Sequence, residues 1–112
     1  MEPITYADFE KVEIRAGTIV DAQPHPTARK PSIQLWIDFG PQIGTKRSAA
    51  QITVHYSADR LIGRQVMAVV NFPPRRIGDF ESEVLVLGVP DENGAVVLLK
   101  PDLKVPDGGK MF

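Results

Sequence analysis

Three pairs of adjacent cations, Arg29-Lys30, Lys46-Arg47 and Arg75-Arg76, stand in a chain whose formal net charge is only -1. They lie in a basic middle: residues 29–80 carry eight positive and three negative charges, whereas residues 1–28 and 81–112 each sum to -3. Guanidinium and ammonium groups gathered in this way can hold the oxygens of an anion even though the chain as a whole is slightly acidic. The competing reading of any single doublet is a solvated face that only keeps the protein soluble.

The polar residues around the doublets suit a nucleic acid. Gln51 and Asn71 carry amides that can read base edges, and Phe72 or Phe80 offers a ring on which a base can stack. Asn71, between Val70 and Phe72, can equally satisfy the backbone amides of a loop. Ser82 can give its hydroxyl to a phosphate or to a turn amide, and Glu83 can grip Arg75 or Arg76 across a loop in a bidentate contact.

Enzyme chemistry has little to stand on. Glu81 and Glu83, two apart, would share one face of a strand, but neither a nucleophile nor an oxyanion donor accompanies them, and a polar rim is the commoner meaning of such a pair. His25 falls in a proline-rich loop and His55 before a short helix, each expected as a surface or half-buried residue without a ligand-like partner in sequence. The segment GPQIGTKR at residues 40–47 looks superficially like a phosphate loop, yet its glycines are four apart and Arg47 occupies the place of the magnesium-binding Ser or Thr. Cysteine is absent, which excludes disulfides, thiolate metal sites and cysteine nucleophiles. A non-enzymatic protein without a cofactor or metal is expected, with an enzyme acting on a small phosphorylated substrate as the weakest reading.

The elements that must position these groups are mostly strands. Residues 12–20 alternate Val12, Ile14, Ala16, Thr18 and Val20 with the other face, and Gly17 would let that strand bend or admit a close neighbour. Prolines 24, 26 and 31 make residues 23–32 a loop, which carries Arg29-Lys30. Ile33, Leu35, Ile37 and Phe39 mark a second strand with Trp36 on its opposite face, and a third runs over residues 46–53. A short helix over residues 56–62, with Ser57 as N-cap, stops at Gly63. A fourth strand spans 66–72 and is broken by Pro73-Pro74; a fifth spans 84–89, and the turn Asp91-Glu92-Asn93-Gly94 leads into 95–99. Residues 5–11 read as one or two helical turns, and Met111-Phe112 as an apolar end tucked onto the core.

At 112 residues, 43% hydrophobic and 24% charged, the chain is expected to be one domain, 1–112, folding on packing alone. It opens without the basic start and apolar run of a signal peptide, and no stretch approaches 18 apolar residues, so a cytoplasmic protein with no membrane insertion is expected. Three strands, a short helix and two or three further strands give an all-β fold, the oligonucleotide-binding (OB) Greek-key barrel with short terminal extensions. Such barrels bind on the face of strands two and three, between the loop after strand one and the loop after strand four. Arg29-Lys30 and Arg75-Arg76 would then converge from two loops, while Lys46-Arg47 would lie toward the opposite end. A monomer with so few cations binds weakly, and two subunits presenting this face together would gain by effective concentration. Tyr6, Phe9 and Phe112 could supply the seam between them or complete a small core.

The strings VEIRAGTIV (12–20), ARKPSIQLWIDFG (28–40), SAAQIT (48–53) and VNFPPRRIGDFESEVLVLG (70–88) together resemble the CsaA family of export-related chaperones, a branch of the wider tRNA-binding domain family that includes the C-terminal domain of bacterial methionyl-tRNA synthetase. The resemblance implies a homodimer of OB barrels that binds tRNA and also unfolded or preprotein polypeptides, assisting protein secretion. An alternative is a peptide-holding secretion chaperone whose RNA binding is incidental. Residue by residue it implies nucleic-acid-binding roles for Arg29 and Lys30, Ser48 and Gln51 on the third strand, Asn71, Arg75 and Arg76, and the pair Ser82 and Glu83. The wider family usually continues after that serine with glycine and methionine, whereas this chain has Glu83-Val84-Leu85.

Overall fold

The computed structural model describes residues 1–112. Its helices are short: α1 (Tyr6–Glu10), α2 (Gly40–Ile43) and α3 (Ala58–Leu61). The first is fixed by reciprocal capping, with the Asp8 amide donating to Thr5 Oγ1 and the Thr5 amide donating to Asp8 Oδ2, both at 3.1 Å. The strands are β1 (Ile14–Pro24), β2 (Ile33–Asp38), β3 (Thr45–Ala50), β4 (Gln65–Val69), β5 (Arg75–Ile77), β6 (Phe80–Ser82), β7 (Leu85–Val86), β8 (Gly88–Pro90) and β9 (Val96–Leu98). Five of them form one antiparallel sheet in the order β3-β2-β1-β4-β7, and β5-β6 and β8-β9 are separate hairpins. The sheet curls into a nearly closed barrel of the expected oligonucleotide-binding kind.

Alternation on β2 works as expected: Ile33, Leu35, Ile37 and Phe39 all enter the core, joined by Ile19, Val66, Leu61 and Val84. On β1 it fails halfway. Ile14 and Ala16 are buried, but Ile19 then takes the inward place and Val20 is 48% exposed. The strand changes partners here, from β4 through residues 14–18 to β2 through residues 18–24, and a register irregularity between Ile19 and Asp21 shifts its faces. Gly17 admits a close neighbour, since a Cβ there would stand 2.7 Å from both Ile37 and Phe39.

Side chains do much of the final closure. At the free edge of β3, the Arg47 carbonyl accepts from the amides of Glu83 (2.8 Å) and Val84 (3.3 Å). Beside it, Ser48 Oγ donates to the Val84 carbonyl at 3.0 Å, the Ala49 amide donates to Ser82 Oγ at 3.1 Å, and the Arg47 amide donates to Glu83 Oε1 at 3.0 Å. Polar side chains stand here where ladder partners would otherwise be, giving backbone groups of Arg47, Ala49 and Val84 their partners.

Four local expectations are corrected. The strand expected over 84–89 is divided between β7 and β8, the Pro73-Pro74 corner leads into a hairpin that had not been foreseen, and α2 replaces part of a connection expected to be irregular. Phe112 is fully exposed rather than tucked onto the core, although the Met111 amide holds the tail to the Ile14 carbonyl at 2.8 Å.

Candidate nucleic-acid interface

Arg29 and Lys30 project from the loop between β1 and β2, whose neck is closed by the His25 amide on the Ser32 carbonyl (2.9 Å) and by Ser32 Oγ on the Lys30 carbonyl (2.9 Å). Arg75 and Arg76 begin β5, which pairs with β6 in the register Arg75↔Ser82, Arg76↔Glu81 and Ile77↔Phe80. The Gly78-Asp79 dipeptide between Ile77 and Phe80 is a two-residue hairpin connection, with Gly78 at φ +63°. That dipeptide between two apolar residues was the sequence signal for the hairpin.

The two basic loops are stitched together. His25 Nε2 donates to the Ile77 carbonyl at 2.8 Å, its Nδ1 accepts from the Thr27 amide at 3.3 Å, and Thr27 Oγ1 donates to Asp79 Oδ1 at 2.6 Å. His25 is therefore buried, not the surface or half-buried residue expected, and it has the tautomer with the proton on Nε2, because a carbonyl can only accept. The Thr27 hydrogen bond is the first cause holding the Asp79 carboxyl below its ordinary value, with the charge of Arg76 adding to it. Sequence reasoning passed over Thr27 and Asp79; nothing in their types or spacing distinguishes them from other loop residues.

All four cations of these two doublets are exposed, and the chain's ion pairs use Arg15, Arg47, His55 and Lys110 instead. Arg47 has the opposite fate. It was expected toward the far end of the barrel, but it lies against the β5-β6 hairpin with its guanidinium 5.5 Å from the Phe80 ring centre, paired with Glu83 Oε1 at 3.3 Å and Glu81 Oε2 at 4.0 Å. Glu81 and Glu83 do share a face, where Arg47 sits between them. The cation that Glu83 grips is thus Arg47, not Arg75 or Arg76.

The remaining candidates divide by exposure. Ser48 is 2% exposed and Ser82 half-buried, both engaged in the seam; Asn71 accepts from the Glu13 amide at 3.0 Å and donates to the Lys11 carbonyl at 2.8 Å, the loop-bracing role open to it in sequence. Phe80 is buried edge-on against Trp36 (5.6 Å) and His25 (5.8 Å), which explains the placement of Trp36 and withdraws Phe80 from stacking on a base. Phe72 is 53% exposed. With Gln51, Pro73, Pro74 and Arg75 it lines a cleft of about 630 Å³ whose floor includes Ile52, Val84 and Leu98. No group of three His, Cys, Asp or Glu is placed to hold a metal ion, and no helix is long and apolar enough to cross a membrane.

This geometry has known relatives. The chain is 48% identical, with a TM-score of 0.92, to the chaperone CsaA of Bacillus anthracis, covering 99% of this chain and all of that one. The CsaA chaperone protein of Picrophilus torridus is 49% identical at a TM-score of 0.90, over 98% of this chain and all of that one. A protein of Pyrococcus horikoshii described as related to methionyl-tRNA synthetase superposes with a TM-score of 0.88 at 25% identity over both whole chains. The methionine–tRNA ligase of Porphyromonas gingivalis is 33% identical over 110 residues, 98% of this chain but 16% of the ligase, so the chain spans only a small part of that relative. Residues 14–110 match the family model described as a putative tRNA binding domain, and with an OB-like barrel carrying two stitched basic loops, the chain belongs to that family.

Proposed function

We propose that this protein binds tRNA as a homodimer, on the face bounded by Arg29-Lys30 and Arg75-Arg76. The observation that supports the reading is the stitching of those two loops through His25, Thr27 and Asp79, which ties together the loops that bear four exposed cations. Guanidinium groups position the phosphates, Gln51 and the exposed Phe72 meet bases at the cleft, and Ser48, Asn71, Ser82 and Glu83 serve the face by bracing the backbone behind it. Tyr6 and Phe112, exposed at the two termini, suit a seam between subunits. The protein works in the cytoplasm in this reading and carries out no catalysis.

The test is tRNA affinity against salt for the wild type and for the double variant Arg75→Glu, Arg76→Glu, alongside sedimentation equilibrium for the oligomeric state. Each phosphate contact contributes about 0.7–0.9 to the slope of log affinity on log salt. The double variant should lose more than about tenfold in affinity and flatten that slope. Unchanged affinity would remove this face from the proposal, and a monomer at micromolar concentration would remove the dimer.

A second reading has its own observation. The apolar cleft beside Phe72, Pro73 and Pro74 suits an extended apolar segment of an unfolded or preprotein polypeptide, and the CsaA relatives are chaperones. Because Arg75 borders both surfaces, tRNA should compete with such a peptide; binding of both at once without mutual effect would separate the two sites.

A further inference from the structure

A second group of cations lies outside the stitched loops. Arg64, Lys100 and Lys104 line a cleft of about 240 Å³ together with Gly63, Gln65, Pro101 and Asp102, and none of its walls is hydrophobic. Arg64 directly precedes β4, whereas residues 73–76 follow its other end, so the two basic regions are separated by the length of that strand, roughly 16 Å. Nothing in the sequence brings residue 64 to residues 100–104. Gln65 does so in the fold: its Nε2 donates to the Val105 carbonyl at 2.8 Å, and its Oε1 accepts from the Val105 amide at 3.1 Å. Asp107, which accepts from Thr18 Oγ1 at 2.6 Å and from Gln65 Nε2 at 3.3 Å, pins the same segment to β1.

The cations in this cleft are unpaired. None of the three cations takes part in an ion pair, and Asp102 is the single carboxylate on the lining. The Arg64 guanidinium lies 5.3 Å from the centre of the Tyr56 ring, and its buried Nε has no hydrogen-bond partner in the chain. A stacked guanidinium without an acceptor is oriented but unspent, and a buried N–H left unpaired carries a cost that an acceptor from outside removes when the side chain turns to meet it. Tyr56 is itself fixed, its hydroxyl accepting from the Leu98 amide at 2.9 Å. A half-buried guanidinium flanked by two exposed ammonium groups in a cleft without hydrophobic residues matches a tetrahedral oxyanion carrying at least one full charge.

We propose that Arg64, Lys100 and Lys104 form a phosphate-binding cradle, distinct from the face of the stitched loops. The phosphate comes from the backbone of a bound RNA or from free phosphate in solution; the first source rests on the proposed tRNA binding, the second does not. The experiment has two arms on the full chain. Inorganic phosphate is titrated against chloride at matched ionic strength while the backbone amide resonances of residues 63–65, 100 and 102–104 are followed, for the wild type, for Lys100→Ala with Lys104→Ala, and for Arg64→Gln. The salt dependence of tRNA affinity is measured for the same proteins.

Saturable shifts confined to those amides, weakened at least tenfold in both variants, establish the cradle with free phosphate as its occupant. A tRNA salt slope reduced by about 1–2 in the lysine variant, without such shifts, establishes it with the RNA backbone as the occupant. The lysines are exposed, so their removal leaves the fold intact, as the unperturbed amides elsewhere will report. No localised shift together with an unchanged slope overturns the proposal. If the wild type fails to bind tRNA at all, the tRNA reading falls and the phosphate arm alone decides the cradle.

Discussion

Thr27 and Asp79, 52 residues apart in the chain, meet side chain to side chain at 2.6 Å. Neither carries the charge that would hold an RNA phosphate, yet together with His25 they decide where Arg29-Lys30 stands relative to Arg75-Arg76. Position and charge are separable at this contact. Thr27→Val should lower tRNA affinity about 2- to 10-fold, the worth of one hydrogen bond expressed in binding, while leaving the salt slope unchanged. Titrations at several salt concentrations distinguish this from the loss of a phosphate contact, which changes both.

Glu83 holds the seam and neutralises Arg47 at the same time. Glu83→Ala leaves the Arg47 amide and guanidinium without their acceptor and should destabilise the protein by about 1–3 kcal/mol in urea denaturation. Glu83→Gln keeps an acceptor for the amide and should cost less. Because it also leaves the Arg47 charge beside the β5-β6 hairpin balanced by Glu81 alone, it should raise tRNA affinity at low salt; a fall would mean that the carboxylate itself touches the nucleic acid.

Acid should loosen the termini and the stitched loops. Hydrogen bonds first from Lys110 and then from Arg15 hold Glu13 below its ordinary value of 4.5, and Thr27 and His55 respectively do the same for Asp79 and Asp91 against 3.8. A carboxyl whose folded pKa lies below its unfolded one adds stability that is complete above the unfolded value and is lost as pH falls through the folded one. Thermal melting should therefore be level above about pH 5 and fall progressively below about pH 4.5. Glu13→Gln should make that decline shallower; an identical decline would assign it to other groups.

Gly17 faces the core where β1 lies over β2. A methyl group there would meet Ile37 Cγ2 and Phe39 Cδ1 at 2.7 Å, and both neighbours are fully buried. Gly17→Ala should cost about 1–3 kcal/mol by overpacking, read from the denaturation midpoint at constant m-value. Pairing with Ile37→Ala, which removes the clashing Cγ2, should cost less than the sum of the two single changes, since the two positions share one contact.

Alternation made Ile33, Leu35 and Ile37 on β2, with Phe39 just beyond it, legible because the strand keeps an unbroken register with β3 and sends every second side chain to the core. Val20 was misplaced because β1 changes partners near Ile19, an event that depends on β4 and leaves no local mark. The convergence of two doublets could be read from the order of strands; the third doublet could not, since Arg47 meets the β5-β6 hairpin through a closure formed only when β3 reaches residues 82–84. Asn71 was legible in its structural sense, as an amide among apolar neighbours at a strand end. Arg64 with Lys100 and Lys104 was not, because their meeting depends on Gln65 binding a backbone 40 residues away.

The change of partners along β1 also orders the events of folding. Residues 18–24 pair with β2, the next strand in the chain, and β2 in turn pairs with β3, so a local meander can assemble early. Residues 14–18 pair with β4, which follows the whole meander and α3, and that distant pairing must close a long loop before it yields any contact. During synthesis, half of the first strand therefore waits with its amides and carbonyls unpaired until the ribosome has delivered β4 and, on its other edge, residues 108–111, and for that interval it is an open edge that another extended chain can join.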